Sequence, residues 1–138
     1  MPGFPAVYPV MYPYTLVSLP TGSYTAGGAQ VFDATYLMHA ALDITLTSFT
    51  GGATPSVTFG LDRQGADNVW YPVWSSGAAT TATVWSIDLC PSITEQTVGN
   101  PNSPTAATHV VWTYQGRFRW SFAGSPTSVQ FSVSLIGR

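Results

Sequence analysis

Gly60-Leu61-Asp62-Arg63-Gln64-Gly65-Ala66-Asp67-Asn68-Val69-Trp70-Tyr71-Pro72-Val73-Trp74 reads as two β-strands joined by a polar turn. The first strand is expected over residues 56–63, where Val57, Phe59 and Leu61 alternate with Thr58, Gly60 and Asp62. The second is expected over 69–75 and is dense in aromatic residues. Between them, Gly65, Asp67 and Asn68 are residue types that tolerate tight turns and positive φ, so the stretch predicts a hairpin.

Working outward, the same pattern recurs. Residues 42–49 alternate Leu42, Ile44 and Leu46 with Asp43, Thr45 and Thr47. Residues 31–39 read as a strand with Phe32, Ala34, Tyr36 and Met38 on one face. Residues 82–89 hold Trp85 and Ile87, and 108–114 hold Val110, Val111 and Trp112. In 116–122, Phe118, Trp120 and Phe122 oppose Arg117, Arg119 and Ser121. Residues 127–136 give the cleanest period of two, with Val129, Phe131, Val133 and Leu135 inward. No window carries an apolar stripe at helical spacing. The fold class expected is all-β, an antiparallel β-sandwich of about eight strands. Jelly-roll, immunoglobulin-like and barrel arrangements all fit this pattern. Residues 90–107, with Pro91, Pro101 and Pro104, read as one long irregular connection.

The N-terminal stretch differs. Pro2, Pro5, Pro9, Pro13 and Pro20 are spaced through Phe4, Tyr8, Tyr12 and Tyr14, a density of proline that blocks helix and central strand alike. Residues 1–29 are therefore expected to form an extended arm and hinge, and 30–138 a single sandwich domain. The arm is expected to lie on its own sandwich or on a neighbouring subunit.

Composition narrows the function. Only 7% of the 138 residues are charged, against about 25% in ordinary globular domains. The cations are Arg63, Arg117, Arg119 and Arg138, with no lysine. A surface covered by other subunits has less need of charge, and the aromatic content of 14% points the same way. A net charge of −2 carries no basic footprint for nucleic acid. No apolar run is long enough for a helical membrane span, and no signal peptide is expected.

Candidate catalytic groups are sparse. Cys90, followed by Pro91, reads as a small apolar core residue, although a pair with His39 or His109 is conceivable. Asp62 and Asp67 flank the central turn, where turn formation by Asp67 competes with a calcium site that would add Asn68. No catalytic residue, metal or cofactor is assigned. Strict alternation places Trp70 and Trp74 on one face and Tyr71 on the other, so one set must leave the core for a subunit interface or a glycan platform. Arg117 and Arg119, two apart on one polar face, are expected to pair across strands or between subunits with Asp43 or Asp88. The candidate interface residues are Phe4, Tyr8, Tyr12, Tyr14, Tyr71, Trp74, Arg117 and Arg119.

The hairpin from Val57-Thr58-Phe59-Gly60-Leu61-Asp62-Arg63 to Val69-Trp70-Tyr71 resembles a strand–turn–strand of small virion proteins of tailed bacteriophages. Arg117-Phe118-Arg119-Trp120-Ser121-Phe122 with Ser128-Val129-Gln130-Phe131-Ser132-Val133-Ser134-Leu135 is similar to their closing hairpin. The resemblance covers roughly residues 42–138 and is one of style rather than of a diagnostic motif. It implies a non-enzymatic virion protein made in a host cytoplasm. Its expected role is a multi-copy capsid decoration (cement) subunit, with itself, as a trimer or higher oligomer, and a major capsid or tail protein as partners. A tail or tail-fibre component, or a glycan-binding module using exposed aromatics, is the alternative.

Overall fold

The computed structural model describes residues 13–90, 105–109, 112 and 114–138. Nine strands are assigned among them: β1 (Tyr14–Tyr24), β2 (Gly28–Asp33), β3 (Ala40–Thr50), β4 (Ser56–Gln64), β5 (Trp70–Ala79), β6 (Thr83–Cys90), β7 (Thr105–His109), β8 (Gln115–Ala123) and β9 (Ser128–Gly137). They form two sheets, sheet A in the order β1-β9-β3-β6-β7 and sheet B in the order β2-β8-β4-β5. The expected β-sandwich is the observed architecture.

The pairing identifies the type of sandwich. β1 pairs with β9, β2 with β8, β3 with β6 and β4 with β5, all antiparallel. With β7 set aside, each strand of the first half pairs with its counterpart in the second. This is one antiparallel ribbon, folded at the β4–β5 hairpin and rolled up, the jelly-roll arrangement. The immunoglobulin order places its first two strands side by side, whereas β1 and β2 lie in different sheets. β7 adds to the edge of sheet A, parallel to β6 and in part of the span read as irregular.

Period-two alternation fills the space between the sheets. Leu42, Ile44 and Leu46 from β3, Phe131, Val133 and Leu135 from β9, and Val57, Phe59 and Leu61 from β4 are all buried. Aromatic rings join the layers at their centre. Phe59 meets Phe131 edge-on at 5.0 Å between centroids, Trp85 edge-on at 5.6 Å and Phe118 stacked at 6.0 Å. Trp112 and Trp120 pack, half-buried, against this core.

Two expectations need correcting. The strand read over 31–39 ends at Asp33, whose Oδ1 accepts hydrogen bonds from the Thr35 amide (3.0 Å) and hydroxyl (2.6 Å). That side-chain-to-backbone bond turns the chain. Leu37 then faces the core, while Tyr36 and Met38 are exposed. Second, the proline-rich leader is already sheet from Tyr14 onward, because β1 pairs with β9 through register shifts at Thr15/Val17 and Leu19/Gly22. Pro20 is accommodated there because β1 is an edge strand and its ladder is interrupted at that point.

The strands run between two unlike poles. At one pole the connections are residues 25–27, 51–55, 80–82 and 124–127, built only from Gly, Ala, Ser, Thr and Pro. Gly52 (φ +84°) and Gly124 (φ +73°) let two of these turns lie back to back, with the Ala53 amide donating to the Gly124 carbonyl at 3.0 Å. The other pole holds the start of β1, the β2–β3 turn, the central hairpin turn, the approach to β8 and the end of β9.

Candidate interaction surfaces

The outer face of sheet B carries the main polar cluster. Register sets Val31, Arg117, Asp62 and Pro72 in one row across the four strands, and Ala29, Arg119, Gly60 and Ser75 in the next. Arg117 is thus directly opposite Asp62. Its Nε (3.0 Å) and Nη2 (2.7 Å) both donate to Asp62 Oδ2. Arg119 stands opposite Gly60 and reaches diagonally to the same carboxylate, its Nε lying 3.1 Å from Oδ1 and 2.9 Å from Oδ2. To get there its guanidinium lies over the Gly60 backbone, where a Cβ would come within 2.6 Å of Nη1 and Nη2. Gly60 therefore has a specific reason to lack a side chain in mid-strand.

The two arginines cover Asp62, which is 2% exposed although it points away from the core. The Arg117 guanidinium carbon also sits 4.7 Å from the centroid of the Trp70 ring, a cation–π contact. Arg117 and Arg119 thus pair across strands as expected, but with Asp62 rather than Asp43 or Asp88. Those two acids point outward from β3 and β6, on the opposite sheet.

The hairpin tip holds a second group. Asn68 takes positive φ (+62°), and the Gly65 amide donates to the Val69 carbonyl at 2.8 Å. Asp67 Oδ1 accepts the Val69 amide at 3.1 Å, and Oδ2 accepts the Tyr71 hydroxyl at 2.6 Å. The Tyr71 hydroxyl, then the Val69 amide, hold the Asp67 carboxyl below its ordinary range. The same hydrogen bond and the adjacent negative charge raise the Tyr71 hydroxyl above its ordinary value. Arg63 lies 5.9 Å from the centroid of the Tyr71 ring. Asp62 and Asp67, the acids weighed for a calcium site, therefore have separate partners. Among the described residues no group of three or more His, Cys, Asp or Glu side chains could hold a metal ion.

Strict alternation fails along β5. Leu61 pairs with Trp74 but Asp62 with Pro72, and Thr58 pairs with Ala78 but Gly60 with Ser75. Each step inserts one extra residue into β5, a β-bulge, and the first of them reverses the facing of the chain between Trp70 and Trp74. Trp74 consequently packs in the core, away from any outer surface, while Trp70 lies outside under Arg117. The second bulge is held by Ser76, whose hydroxyl accepts the Phe59 amide at 2.9 Å.

The bulky pole is the other surface. Tyr36 is 87% and Tyr114 59% exposed, and Met38, Val69, Tyr14 and Tyr71 are exposed at the same end. The Tyr114 carbonyl accepts the Ala34 amide at 3.0 Å, which ties the approach to β8 to the β2–β3 turn. Beside them an open groove of about 480 Å³ is lined by Pro13, His39, Ala41, Asp88, Ile136 and Arg138, among others. β7 also brings His109 into backbone register with Cys90. Phe4, Tyr8 and Tyr12 lie outside the described residues. Tyr36, Met38 and Tyr114 escaped the sequence reading because period-two counting gave the first two to a strand face.

No protein-family model, no curated protein and no solved structure matches this chain.

Proposed function

We propose that this chain is a non-enzymatic structural subunit of a virus particle, present in many copies and of the head-decoration type that its sequence resembles. The observation that carries the proposal is the contrast between its poles. One is closed by turns of small residues, and the other presents Tyr36, Met38, Tyr114 and Tyr14 to solvent. Tyrosine and methionine are enriched at protein interfaces and bury much apolar area for little lost freedom. The jelly roll is one of the folds used for capsid domains, and also for lectins, so the fold alone does not choose between them. In this chain a glycan platform on the β5 aromatics is left with little. Trp74 is buried and Trp70 lies against a guanidinium, which leaves Tyr71.

The test uses particles assembled without this chain, to which purified protein is added before sedimentation. The wild-type chain is expected to sediment with the particles. A Tyr36→Ser, Met38→Ser, Tyr114→Ser variant is expected to stay in the supernatant, with thermal unfolding unchanged. Equal retention of both proteins, or of neither, would overturn the proposal. An arm deletion must stop at residue 12, because a cut at residue 20 removes most of β1.

A further inference from the structure

The arginine pair on sheet B is not neutralised within its own chain. Asp62 supplies one negative charge to two guanidinium groups. Arg117 gives Nε and Nη2, and Arg119 gives Nε. Both Nη1 groups and the Nη2 of Arg119 have no partner among the described residues. The two side chains remain 29% and 33% exposed, so these donors are open to solvent. They are held in place by the buried carboxylate, the Trp70 ring and the bare backbone of Gly60. Asp33, the other acid directed from this face, is at the end of β2 and is already engaged by Thr35.

The opposite face of the sandwich carries the complement. Asp43 and Asp88 point outward from sheet A and are exposed. Asp43 Oδ1 accepts the Ser86 hydroxyl at 2.9 Å, which leaves Oδ2 available. Asp88 has no hydrogen-bond or ion partner among the described residues. Register places Asp43 opposite Ser86 and Asp88 opposite Ala41, so the two acids are diagonal neighbours, about 7–8 Å apart. Arg117 and Arg119 are two residues apart on one strand, about 7 Å. Ala29, Val31, Ser121 and Pro72 stand beside the arginines on sheet B, with Asp33 diagonal to Arg117. Ala41, Thr45, Ser86 and Ser134 stand beside the acids on sheet A, where His39 and Arg138 share the groove lined by Asp88.

We propose that the outer face of sheet B docks on the outer face of sheet A of a second copy of this chain, with Arg117 and Arg119 of one subunit meeting Asp43 and Asp88 of the next. The inference rests on the multi-copy reading above and specifies its lateral contact. Two different faces of one molecule are used, so the contact is heterologous. Repeated, it closes into a ring or runs on as a filament. Charge complementarity fixes the register of the faces, and the surrounding apolar and hydroxyl side chains exclude water around the pairs.

The experiment is sedimentation velocity of the full chain over a range of protein and salt concentrations. The wild-type protein is expected to self-associate, more weakly as salt rises. Asp43→Lys with Asp88→Lys changes only exposed outer-face positions. It is expected to raise the dissociation constant by at least about tenfold while leaving thermal unfolding unchanged. A second measurement identifies the faces. Asp43→Cys and Ser121→Cys proteins are treated with a short thiol cross-linker, separately and mixed. Cross-linking that requires the mixture supports the contact. Cross-linking of either protein with itself overturns it, as does a wild-type chain that stays monomeric or an oligomer indifferent to the lysine substitutions. Particle retention is scored separately, so loss of this contact leaves the decoration reading standing, and loss of retention leaves the contact standing.

Discussion

Replacing Asp62 by Asn keeps the shape of the side chain and one acceptor oxygen but removes its charge. In the folded protein that charge receives Arg117 at 2.7 and 3.0 Å and Arg119 at 2.9 Å. Without it, two guanidinium groups stand in adjacent register rows with no counter-charge. Breaking a fully buried pair costs about 3–5 kcal/mol. Here the acid is buried, but the arginines are about a third exposed and can rehydrate, so solvent screening lowers the expected loss to about 2–3 kcal/mol. For a domain of this size that corresponds to a fall in Tm of roughly 6–12 °C. The assay is urea unfolding with scanning calorimetry, repeated in a cycle with Arg117→Gln and Arg119→Gln. Each arginine substitution should cost much less in the Asp62→Asn background than in the wild type. Replacing all three by Leu, Met and Met should recover most of the loss, because apolar side chains carry no charge to strand. A change below about 0.5 kcal/mol for Asp62→Asn would refute the reasoning, since it would mean that water already carries the arginines.

Other expectations follow from single contacts. Gly60→Ala places a methyl group where the Arg119 guanidinium lies, and should cost about 1–3 kcal/mol, recovered in part by Arg119→Ala. An unchanged urea midpoint would show that the arginine moves aside freely. The buried Trp74 indole N–H has no acceptor among the described residues, so Trp74→Phe should cost about 1 kcal/mol against about 3–5 for Trp74→Ala. Equal losses would place the energy in the N–H instead of the ring. The Asp67–Tyr71 bond should leave a pH signature at both ends of the scale. Its stabilisation through Asp67 is present above the ordinary carboxylate range and lost as pH falls through the lowered value. Through Tyr71 it is present below the ordinary tyrosine value and lost as pH rises through the raised one. An NMR titration of Tyr71→Phe should show the Asp67 carboxyl returning toward its ordinary range, and no movement would exclude the hydroxyl as the cause.

Where a strand has one buried and one solvated face, its sequence states the fact directly. β9 alternates Val129, Phe131, Val133 and Leu135 with polar residues and is observed as a strand over that span. The hairpin turn was equally legible, because Gly65, Asp67 and Asn68 act locally. The jelly-roll order was not, because β1:β9 and β2:β8 join opposite ends of the chain and no local pattern names a partner. Trp74 shows a different failure. One inserted residue reverses every later facing, and the first bulge shows only in the pairing of β5 with β4, whereas Ser76 and Gly77 (φ +66°) mark the second. The Asp62 cluster left a trace that needed the pairing to be seen. Gly60 and Asp62 repeat the two-residue spacing of Arg119 and Arg117, and only β4 beside β8 turns those spacings into one site.

The distribution of charge, more than its scarcity, argues for assembly. Of the four arginines, two converge on one carboxylate in the outer surface of sheet B, Arg63 lies near an aromatic ring at the hairpin tip, and Arg138 follows β9 in the groove that Asp88 also lines. A monomer that relied on charge for solubility would spread it over both faces with the signs mixed. Along the strands this chain keeps its arginine pair on sheet B and the acids Asp43 and Asp88 on sheet A, while Asp33, Asp67 and Arg138 lie at strand ends and in the hairpin turn. The jelly roll produces that separation, because outward positions of β8 and β4 belong to one sheet and those of β3 and β6 to the other. Separated charge of this kind does little for an isolated subunit, since the two faces lie on opposite sides of the core. In the proposed contact it acts where the sheet A face of one molecule meets the sheet B face of another. The lysine substitutions at Asp43 and Asp88 are therefore expected to leave the fold intact and remove the association.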